Sequence, residues 1–276
     1  MRRNVKISVL MGVHNPRRER LERAVSSVIG QTMEEWELIL CDDGSDSSYT
    51  EMIRETAETD ERIHCIKNEQ NRGLAYTLNR CMKQAKGQYF ARMDDDDESR
   101  PERFRKQYEF LEAHPEYGWV GSGAELFADG KVWGVRSVPE KPEAKDFLCS
   151  SPYIHPSVMF RRKTLEKNQG YISAEVTRRC EDYELFMRLH ARGCRGYNIQ
   201  ETLLRYRDDA DTWRRRLPRY RVNEMKIRYR GFCRLGILKA ATVPYVIRPL
   251  AGAVVPLALM RYIHRHKKEI NTEGYQ

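Results

Sequence analysis

The first hundred residues alternate between short apolar runs and segments with a helical period, and this alternation limits the fold more than any other feature. Between the runs, apolar residues recur every three or four positions, as they do on one face of a helix. The apolar runs are residues 7–11, 37–41, 63–67 and 88–93. A β-α-β-α order predicts an α/β fold with a mostly parallel sheet, flanking helices and right-handed crossovers.

Three of the predicted strands end in polar clusters. The clusters are residues 12–15 (Gly-Val-His-Asn), 42–45 (Asp-Asp-Gly-Ser) and 94–97 (four aspartates). In open α/β sheets, ligands bind beyond the carboxyl ends of the strands. Loops after strands are often polar for no functional reason, but three such clusters at one edge of a sheet predict a binding site there.

The four consecutive aspartates, Asp94 to Asp97, concentrate negative charge in one turn. Adjacent carboxylates repel one another, and a folded protein usually keeps them with a cation or a cationic partner. A divalent metal that carries a phosphate-rich ligand would explain the cluster. A solvated acidic turn would explain it equally well, and these four residues alone leave both interpretations open.

Length and cysteine content are those of an ordinary globular protein. The chain has 276 residues, enough for one full-sized domain with an appendage. Its seven cysteines are dispersed and include no Cys-x-x-Cys pair, which favours reduced thiols in a cytosolic setting. We expect no signal peptide, and we see no run of the roughly 20 apolar residues that a membrane-spanning helix needs.

The formal net charge of +9 indicates an anionic partner, such as a nucleotide, a nucleic acid or an acidic membrane. The positive charge is concentrated between residues 213 and 230, where Glu224 is the single acid. We therefore predict two regions, a first domain of residues 1–212 and a basic, helical C-terminal region of residues 213–276.

Within the C-terminal region, residues 249–260 are uncharged and lie between Arg248 and Arg261. This segment is too short to span a membrane, but apolar residues between cationic flanks suit the interface of an anionic leaflet. The alternative interpretation is a helix that packs on the first domain or forms a dimer contact. The membrane interpretation predicts a protein that is peripheral at the inner, cytoplasmic face of the cell membrane.

Several motifs, in this order and spacing, resemble the family 2 glycosyltransferases, which have the GT-A fold. The resemblance covers roughly residues 5–210, and its departures include His14, where the family usually has tyrosine. The main matching stretches are residues 7–15 (ISVLMGVHN), 37–45 (ELILCDDGS), 71–79 (NRGLAYTLN), 93–97 (MDDDD), 155–161 (HPSVMFR) and 180–189 (CEDYELFMRL).

The resemblance implies a nucleotide-diphosphate sugar donor, expected to be a UDP sugar, and a bound Mn²⁺ or Mg²⁺. It makes Asp94 and Asp96 an Asp-x-Asp motif, with Asp96 mainly on the metal, Asp94 on ribose or metal, and Asp95 between them. It also assigns Asp182 as the general base of an inverting transfer. The further nucleotide-binding residues that it implies are Val13, His14, Asn15, Asp42 and Asp43.

The resemblance further implies an acceptor that is a lipid-linked sugar or an oligosaccharide in the synthesis of surface polysaccharides. His155, Glu181 and Arg207 are candidate contacts to this acceptor or to the phosphates. From the residues alone, His155 could equally be a hydrogen-bonded structural histidine, and Arg207 a surface charge. Asp97 is expected to support the turn or to cap the next helix.

Three other functions compete with this interpretation. A sugar nucleotidyltransferase would carry a glycine-rich, arginine-containing loop after the first strand, whereas residues 12–16 are Gly-Val-His-Asn-Pro. A nucleic-acid-binding protein is not expected, because the basic stretch lacks a recognised motif and the acidic site would repel phosphates without a metal. A non-catalytic nucleotide-sugar binder stays open.

Overall fold

The structure is a computed structural model that describes residues 4–128, 130–208 and 218–254. Its first half has the predicted alternation. The strands are β1 (Ile7–Val13), β2 (Trp36–Asp42), β3 (Ile63–Lys67) and β4 (Tyr89–Arg92), and the helices between them are α1 (Arg18–Ile29), α2 (Ser47–Ala57) and α3 (Leu74–Gln84). The four strands lie in the order β3-β2-β1-β4 and are parallel. The expected α/β fold is confirmed.

The second half extends this sheet with mixed pairing. Its elements are β5 (Glu98–Ser99), α4 (Arg103–Ala113), β6 (Trp119–Ala128), β7 (Lys131–Arg136), β8 (Met159–Arg161), α5 (Arg162–Lys167), α6 (Glu181–Ala191) and β9 (Gly196–Arg207). Strand β8 is antiparallel to β4 and β6, whereas β9 is parallel to β6. In the described part of the chain, the sheet runs β3-β2-β1-β4-β8-β6-β9-β5, and β7 pairs with β6. The parallel arrangement therefore belongs chiefly to the first four strands.

Strand β7 corrects one sequence expectation. The sequence predicts a loop-rich segment for residues 131–151 because prolines occur there, but β7 occupies its first six residues. The strand is held by antiparallel pairing with β6, with a register shift at Leu126/Phe127. Its side chains are largely exposed, so no clear apolar alternation marks it in the sequence.

Two apolar clusters cover the two faces of the sheet. One joins β1 and β2 to α1 and α2, for example through Leu21 and Ile53. The other joins the opposite face to α3 and α6, and contains Trp119 and Phe186. Because each helix buries one face, its apolar residues recur at helical spacing in the sequence. Burial of large apolar side chains is the main stabilising contribution to such a layered domain.

The C-terminal region forms two helices in its described part, α7 (Pro218–Arg234) and α8 (Val243–Val254). Helix α7 packs on the α6 side of the first domain, because Ile227 and Phe232 belong to the second apolar cluster. Arg228 is buried, pairs with Glu224 at 2.8 Å and donates to the carbonyl oxygens of residues 148 and 149. The domain boundary predicted at residues 212/213 lies outside the described residues.

The apolar segment predicted at residues 249–260 begins in α8, and its part beyond residue 254 lies outside the described residues. Among the helices that the structure describes, none is long and apolar enough to cross a membrane.

Candidate active site

The three polar clusters meet at one edge of the sheet, because β1 lies between β2 and β4. Val13 pairs in register with Asp42, and Leu10 pairs with Arg92, two residues before Asp94. Neighbouring strands are about 4.8 Å apart, so the ends of β2 and β4 lie about 10 Å from each other, on either side of the end of β1. The sheet therefore brings together the clusters that the sequence predicted to converge.

The loop after β1 is tied to the loop after β2 through Asn15. The Asn15 backbone N–H donates to Ser45 Oγ at 3.0 Å, and its side chain exchanges hydrogen bonds of 3.1 and 3.0 Å with Asp46. Asn15 has φ 47°, a left-handed conformation that asparagine tolerates better than most residues. His14 is exposed beside it. These bonds fix the backbone of residues 13–15 at the edge of the site.

Asp42 is buried and organises its own loop. Its Oδ1 accepts from the Ser45 backbone N–H at 2.8 Å, and its Oδ2 accepts from Thr50 Oγ1 at 2.8 Å. Lys67 Nζ lies 3.8 Å from Oδ2. Both oxygens of Asp42 thus contribute to the turn into α2.

Asp43 joins the loop after β2 to the loop before α3. Its carboxylate accepts hydrogen bonds from Asn68 Nδ2 at 2.7 Å and from the backbone N–H groups of Arg72 and Gly73 at 2.9 and 2.8 Å. A carboxylate has about four acceptor positions, so about one position is left for a ligand. Asn68 was not singled out in the sequence, where an asparagine after a short strand carries no distinctive signal.

The negative charge of the acidic turn, residues 94–97, is partly neutralised by arginines of the same chain. Asp94 Oδ1 accepts from Arg92, which is fully buried at the end of β4. Arg20 Nη1 lies 4.0 Å from Asp96 Oδ2, and Arg207 Nε donates to the Asp96 carbonyl oxygen at 3.0 Å. The repulsion among the aspartates is therefore offset in part by protein cations, and the cluster by itself does not require a metal.

Asp97 points away from solvent. Its Oδ1 accepts from the backbone N–H of Arg207 at 2.8 Å, while its buried Oδ2 has no hydrogen-bond partner in the structure. Burial, followed by repulsion from Asp96 and Asp94, raises the pKa of this carboxyl well above its usual value. Asp97 supports the turn against β9, as one of the two sequence interpretations had it, whereas α4 begins later, at Arg103, without a side-chain cap.

Asp182 lies in the first turn of α6, close enough to Asp94 for the two charges to interact. Burial raises its pKa, and the charge of Asp94 acts in the same direction, whereas the Tyr183 backbone and Arg136 act in the opposite one. The pKa of the neighbouring Glu181 is also raised, chiefly by burial. A carboxylate with a raised pKa is a better proton acceptor than one in water.

His155 lies behind Tyr171, a residue that sequence reasoning missed. His155 Nε2 and the Tyr171 hydroxyl share a 2.8 Å hydrogen bond, and both side chains are buried. Burial lowers the pKa of His155 well below its usual value, with a smaller contribution from Arg92. The lowered pKa favours the neutral form of the imidazole. The structure gives this histidine a hydrogen-bonded structural environment.

The segment before Tyr171 is pinned by two side chains from different helices. Asn79 donates to the Tyr171 carbonyl oxygen at 2.7 Å and accepts from its N–H at 2.9 Å. Arg188, paired with Glu184 at 2.9 Å, donates to the Gly170 carbonyl oxygen at 2.8 Å. These contacts hold Gly170 and Tyr171 in place through Asn79 and Arg188, which belong to the matching stretches.

The described residues contain no group of three or more His, Cys, Asp or Glu side chains arranged to hold a metal ion. The side chains of Asp94 and Asp96 are nevertheless 31% and 26% exposed at the mouth of the site. Carboxylate oxygens suit Mg²⁺ and Mn²⁺, which need few protein ligands when phosphates supply the others. The two residues fit a cation that arrives with a diphosphate, and they do not form a closed protein cage.

Comparison with known proteins gives the family. The model of glycosyl transferase family 2 matches residues 8–174. The putative glycosyltransferase EpsE of Bacillus subtilis is 37% identical over 270 residues, which cover 98% of this chain and 96% of EpsE. The UDP-Gal:alpha-D-GlcNAc-diphosphoundecaprenol beta-1,3-galactosyltransferase of Escherichia coli is 26% identical over 265 residues, 94% of this chain and 95% of that enzyme.

A solved structure supports the fold. The mannosyltransferase PcManGT from Pyrobaculum calidifontis, in complex with GDP-Man and Mn²⁺, superposes with a TM-score of 0.61 at 16% identity over 94% of this chain and 79% of that chain. The sequence match spans more than half of the chain, and the sheet has the corresponding architecture. The chain belongs to glycosyl transferase family 2 and has the GT-A fold.

Proposed function

We propose that this protein transfers a sugar, with inversion, from a UDP sugar to a hydroxyl group of a lipid-linked or oligosaccharide acceptor in surface polysaccharide synthesis. The observation that carries the proposal is that the acidic groups after β2 and β4 end at one edge of the sheet, and that the charge of Asp94 acts on Asp182 of α6. The E. coli relative, whose name specifies a UDP sugar and a lipid diphosphate acceptor, supports the choice of donor and acceptor.

In the proposed donor complex, the nucleoside lies over the end of β1, between the two acidic loops. The edge held by Asn15 presents backbone groups and the exposed His14 to the base. Asp43 offers its remaining acceptor position to a base N–H, and Gly44 allows the loop to approach closely. The proposed nucleotide-binding residues are Val13, His14, Asn15, Asp42, Asp43, Asp94 and Asp95.

We assign the diphosphate and its cation to the acidic turn. Bound Mn²⁺ or Mg²⁺ would act as a Lewis acid that neutralises the leaving diphosphate. Asp96 is the main proposed ligand because of its place in the Asp-x-Asp motif, and its side chain is 26% exposed. Asp94 shares one oxygen with Arg92 and keeps the other for ribose or metal.

On the acceptor side, Asp182 removes the proton of the attacking hydroxyl. A base that faces the diphosphate site across the sugar directs attack from the side opposite the leaving group, which inverts the anomeric centre. Glu181 and Arg207 are proposed to shape this region. His155 would act through Tyr171, since its Nε2 is bonded to the phenol.

A thermal-shift screen tests the donor assignment. UDP, GDP and their sugars would be added with Mn²⁺ or with EDTA, and binding at 100 times Kd should stabilise the fold by about 2.7 kcal/mol. We expect stabilisation by UDP compounds in the presence of Mn²⁺. If none of the nucleotides raised the melting temperature, the proposal would be contradicted. Binding without turnover would support a non-catalytic nucleotide-sugar binder.

We also propose that α8 contributes to a peripheral membrane contact at the inner face of the cell membrane. Val243, Ile247 and Leu250 are exposed and recur along one side of the helix, and Arg248 is exposed near them. Such a face with cationic neighbours suits an anionic lipid surface. The alternative, contact with a protein partner, would leave lipid binding absent.

Vesicle sedimentation with anionic phosphatidylglycerol tests this contact. We expect the full chain to sediment with the vesicles, and both a chain lacking residues 240 onward and the double variant Ile247→Glu, Leu250→Glu to stay in solution. The double variant keeps buried Val246 and therefore controls for misfolding. Equal sedimentation of all three proteins would contradict the proposal.

A further inference from the structure

A single buried guanidinium spans the two ends of the acidic turn. Arg103, the first residue of α4, is fully buried. Its Nη2 donates to the Arg92 carbonyl oxygen at 2.8 Å, and its Nη1 donates to Ser99 Oγ at 2.9 Å. Arg92 ends β4 and Ser99 ends β5, so the two acceptors flank the turn that carries the four aspartates. The planar guanidinium thus sets the separation of the two ends of the turn.

The guanidinium is itself held in place from the other side. Its Nε donates to Gln107 Oε1 at 3.1 Å, one helical turn further along α4. Gln107 Nε2 in turn donates to the carbonyl oxygens of Ser157 at 2.7 Å and Val120 at 3.1 Å. Arg103 is therefore linked through Gln107 to β6 and to the His155–Ser157 turn.

Arg103 also supplies charge. Burial lowers the pKa of Arg103 to about 9, whereas the charge of Asp97 acts in the opposite direction, and Arg92 is a second buried arginine, paired with Asp94. Asp97 is buried with one oxygen that has no hydrogen-bond partner. Four neighbouring carboxylates at the end of one strand would otherwise push the turn apart or take up protons.

We propose that Arg103 is a positioning residue for the donor site, which holds the acidic turn at the geometry in which Asp94 and Asp96 meet a nucleotide-bound cation. The inference rests on the proposed function, since it concerns the same carboxylates. Arg103 contacts no ligand in this proposal and acts through the turn. Lysine cannot replace it, because a single ammonium on a flexible stem does not reproduce the guanidinium's fixed fork of donors.

The test compares Arg103→Lys and Ser99→Ala with Arg105→Lys. Arg105 lies on the same helix but is exposed, and it donates to the Thr32 carbonyl oxygen at 2.8 Å. Affinity for UDP would be measured by calorimetry with Mn²⁺ and with EDTA, and Mn²⁺ binding by electron paramagnetic resonance in the presence of UDP. Amide exchange of residues 93–99 would be measured in the ligand-free proteins.

We expect Arg103→Lys to weaken Mn²⁺ binding to the UDP-loaded protein by about 10–100-fold, the usual effect of losing a residue that orients metal ligands. UDP binding in EDTA should change little, and exchange in residues 93–99 should rise. Ser99→Ala removes one of the acceptors of the Arg103 guanidinium and should act in the same direction with a smaller effect. Arg105→Lys should match the wild type.

Unchanged exchange and unchanged Mn²⁺–UDP affinity in folded Arg103→Lys would overturn the inference. If Arg103→Lys fails to fold, a wild-type-like Ser99→Ala would overturn it instead. If wild-type protein binds neither UDP nor Mn²⁺, the proposed donor is wrong. The exchange of residues 93–99 then still decides whether Arg103 holds the turn.

Discussion

Replacing Gly44 with alanine adds only one methyl group, but we expect it to disrupt the loop after β2 strongly. Gly44 has φ +70°, and an added Cβ would lie 2.3 Å from the Gln70 carbonyl carbon and 2.6 Å from the Asn71 nitrogen. These are backbone atoms of the loop that Asp43 holds through Arg72 and Gly73. An alanine at this position must displace that loop, and the displacement breaks hydrogen bonds to a buried carboxylate.

The expected destabilisation by Gly44→Ala has two contributions, and a matched control variant, Gly236→Ala, separates them. A left-handed conformation costs a non-glycine residue about 1–2 kcal/mol. Losing one hydrogen bond to a charged group adds about 1.5–3 kcal/mol, so Gly44→Ala should destabilise the protein by about 3–5 kcal/mol. Gly236 has the same φ of +70° but nothing within 4 Å of its added Cβ, so Gly236→Ala should show the conformational part alone.

Urea and thermal unfolding of the two variants measure the difference. With roughly 2–4 °C for each kcal/mol in a protein of this size, Gly44→Ala should lower Tm by about 6–20 °C and Gly236→Ala by about 2–8 °C. Calorimetry should show weakened UDP binding in Gly44→Ala only. Equal destabilisation of the two variants, or unchanged nucleotide affinity in Gly44→Ala, would refute the close contact of the two loops as the basis of the site.

Two further predictions concern ionisable groups. Asp182→Asn should keep UDP binding but lose about 10²–10⁴-fold in kcat, measured as sugar transfer to a lipid extract, and near-normal transfer would exclude it as the base. Burial lowers the pKa of His190 to about 4, whereas its pKa in the unfolded chain is about 6.5. The neutral, buried His190 therefore contributes fully to the free energy of unfolding above pH 6.5, and this contribution is lost as the pH falls towards 4. Between pH 6.5 and 4 the wild type should therefore lose about 3 kcal/mol more than His190→Gln in urea unfolding, and equal losses would contradict the assignment.

The sequence alone was enough to predict the parallel half of the sheet. The strands β1 and β2 are mainly apolar and buried, and each helix, such as α1, shows one apolar face, so the pattern of apolar residues marks these elements in the sequence. The same reasoning placed residues 12–15, 42–45 and 94–97 at one edge, since parallel strands joined by right-handed crossovers end on the same side. Location of the site thus followed from periodicity and strand direction.

The tertiary structure decided what the polar side chains do. Asp43 and Asp94 have similar sequence surroundings, yet one holds a loop by three hydrogen bonds and the other pairs with a buried arginine. Tyr171 and Arg103 carry no local signal, because their partners come from segments that are distant in the sequence or from the packing of α4 against the sheet. Hydrogen bonds between distant segments depend on how the layers pack, and the local pattern of residues that defines strands and helices does not contain that information.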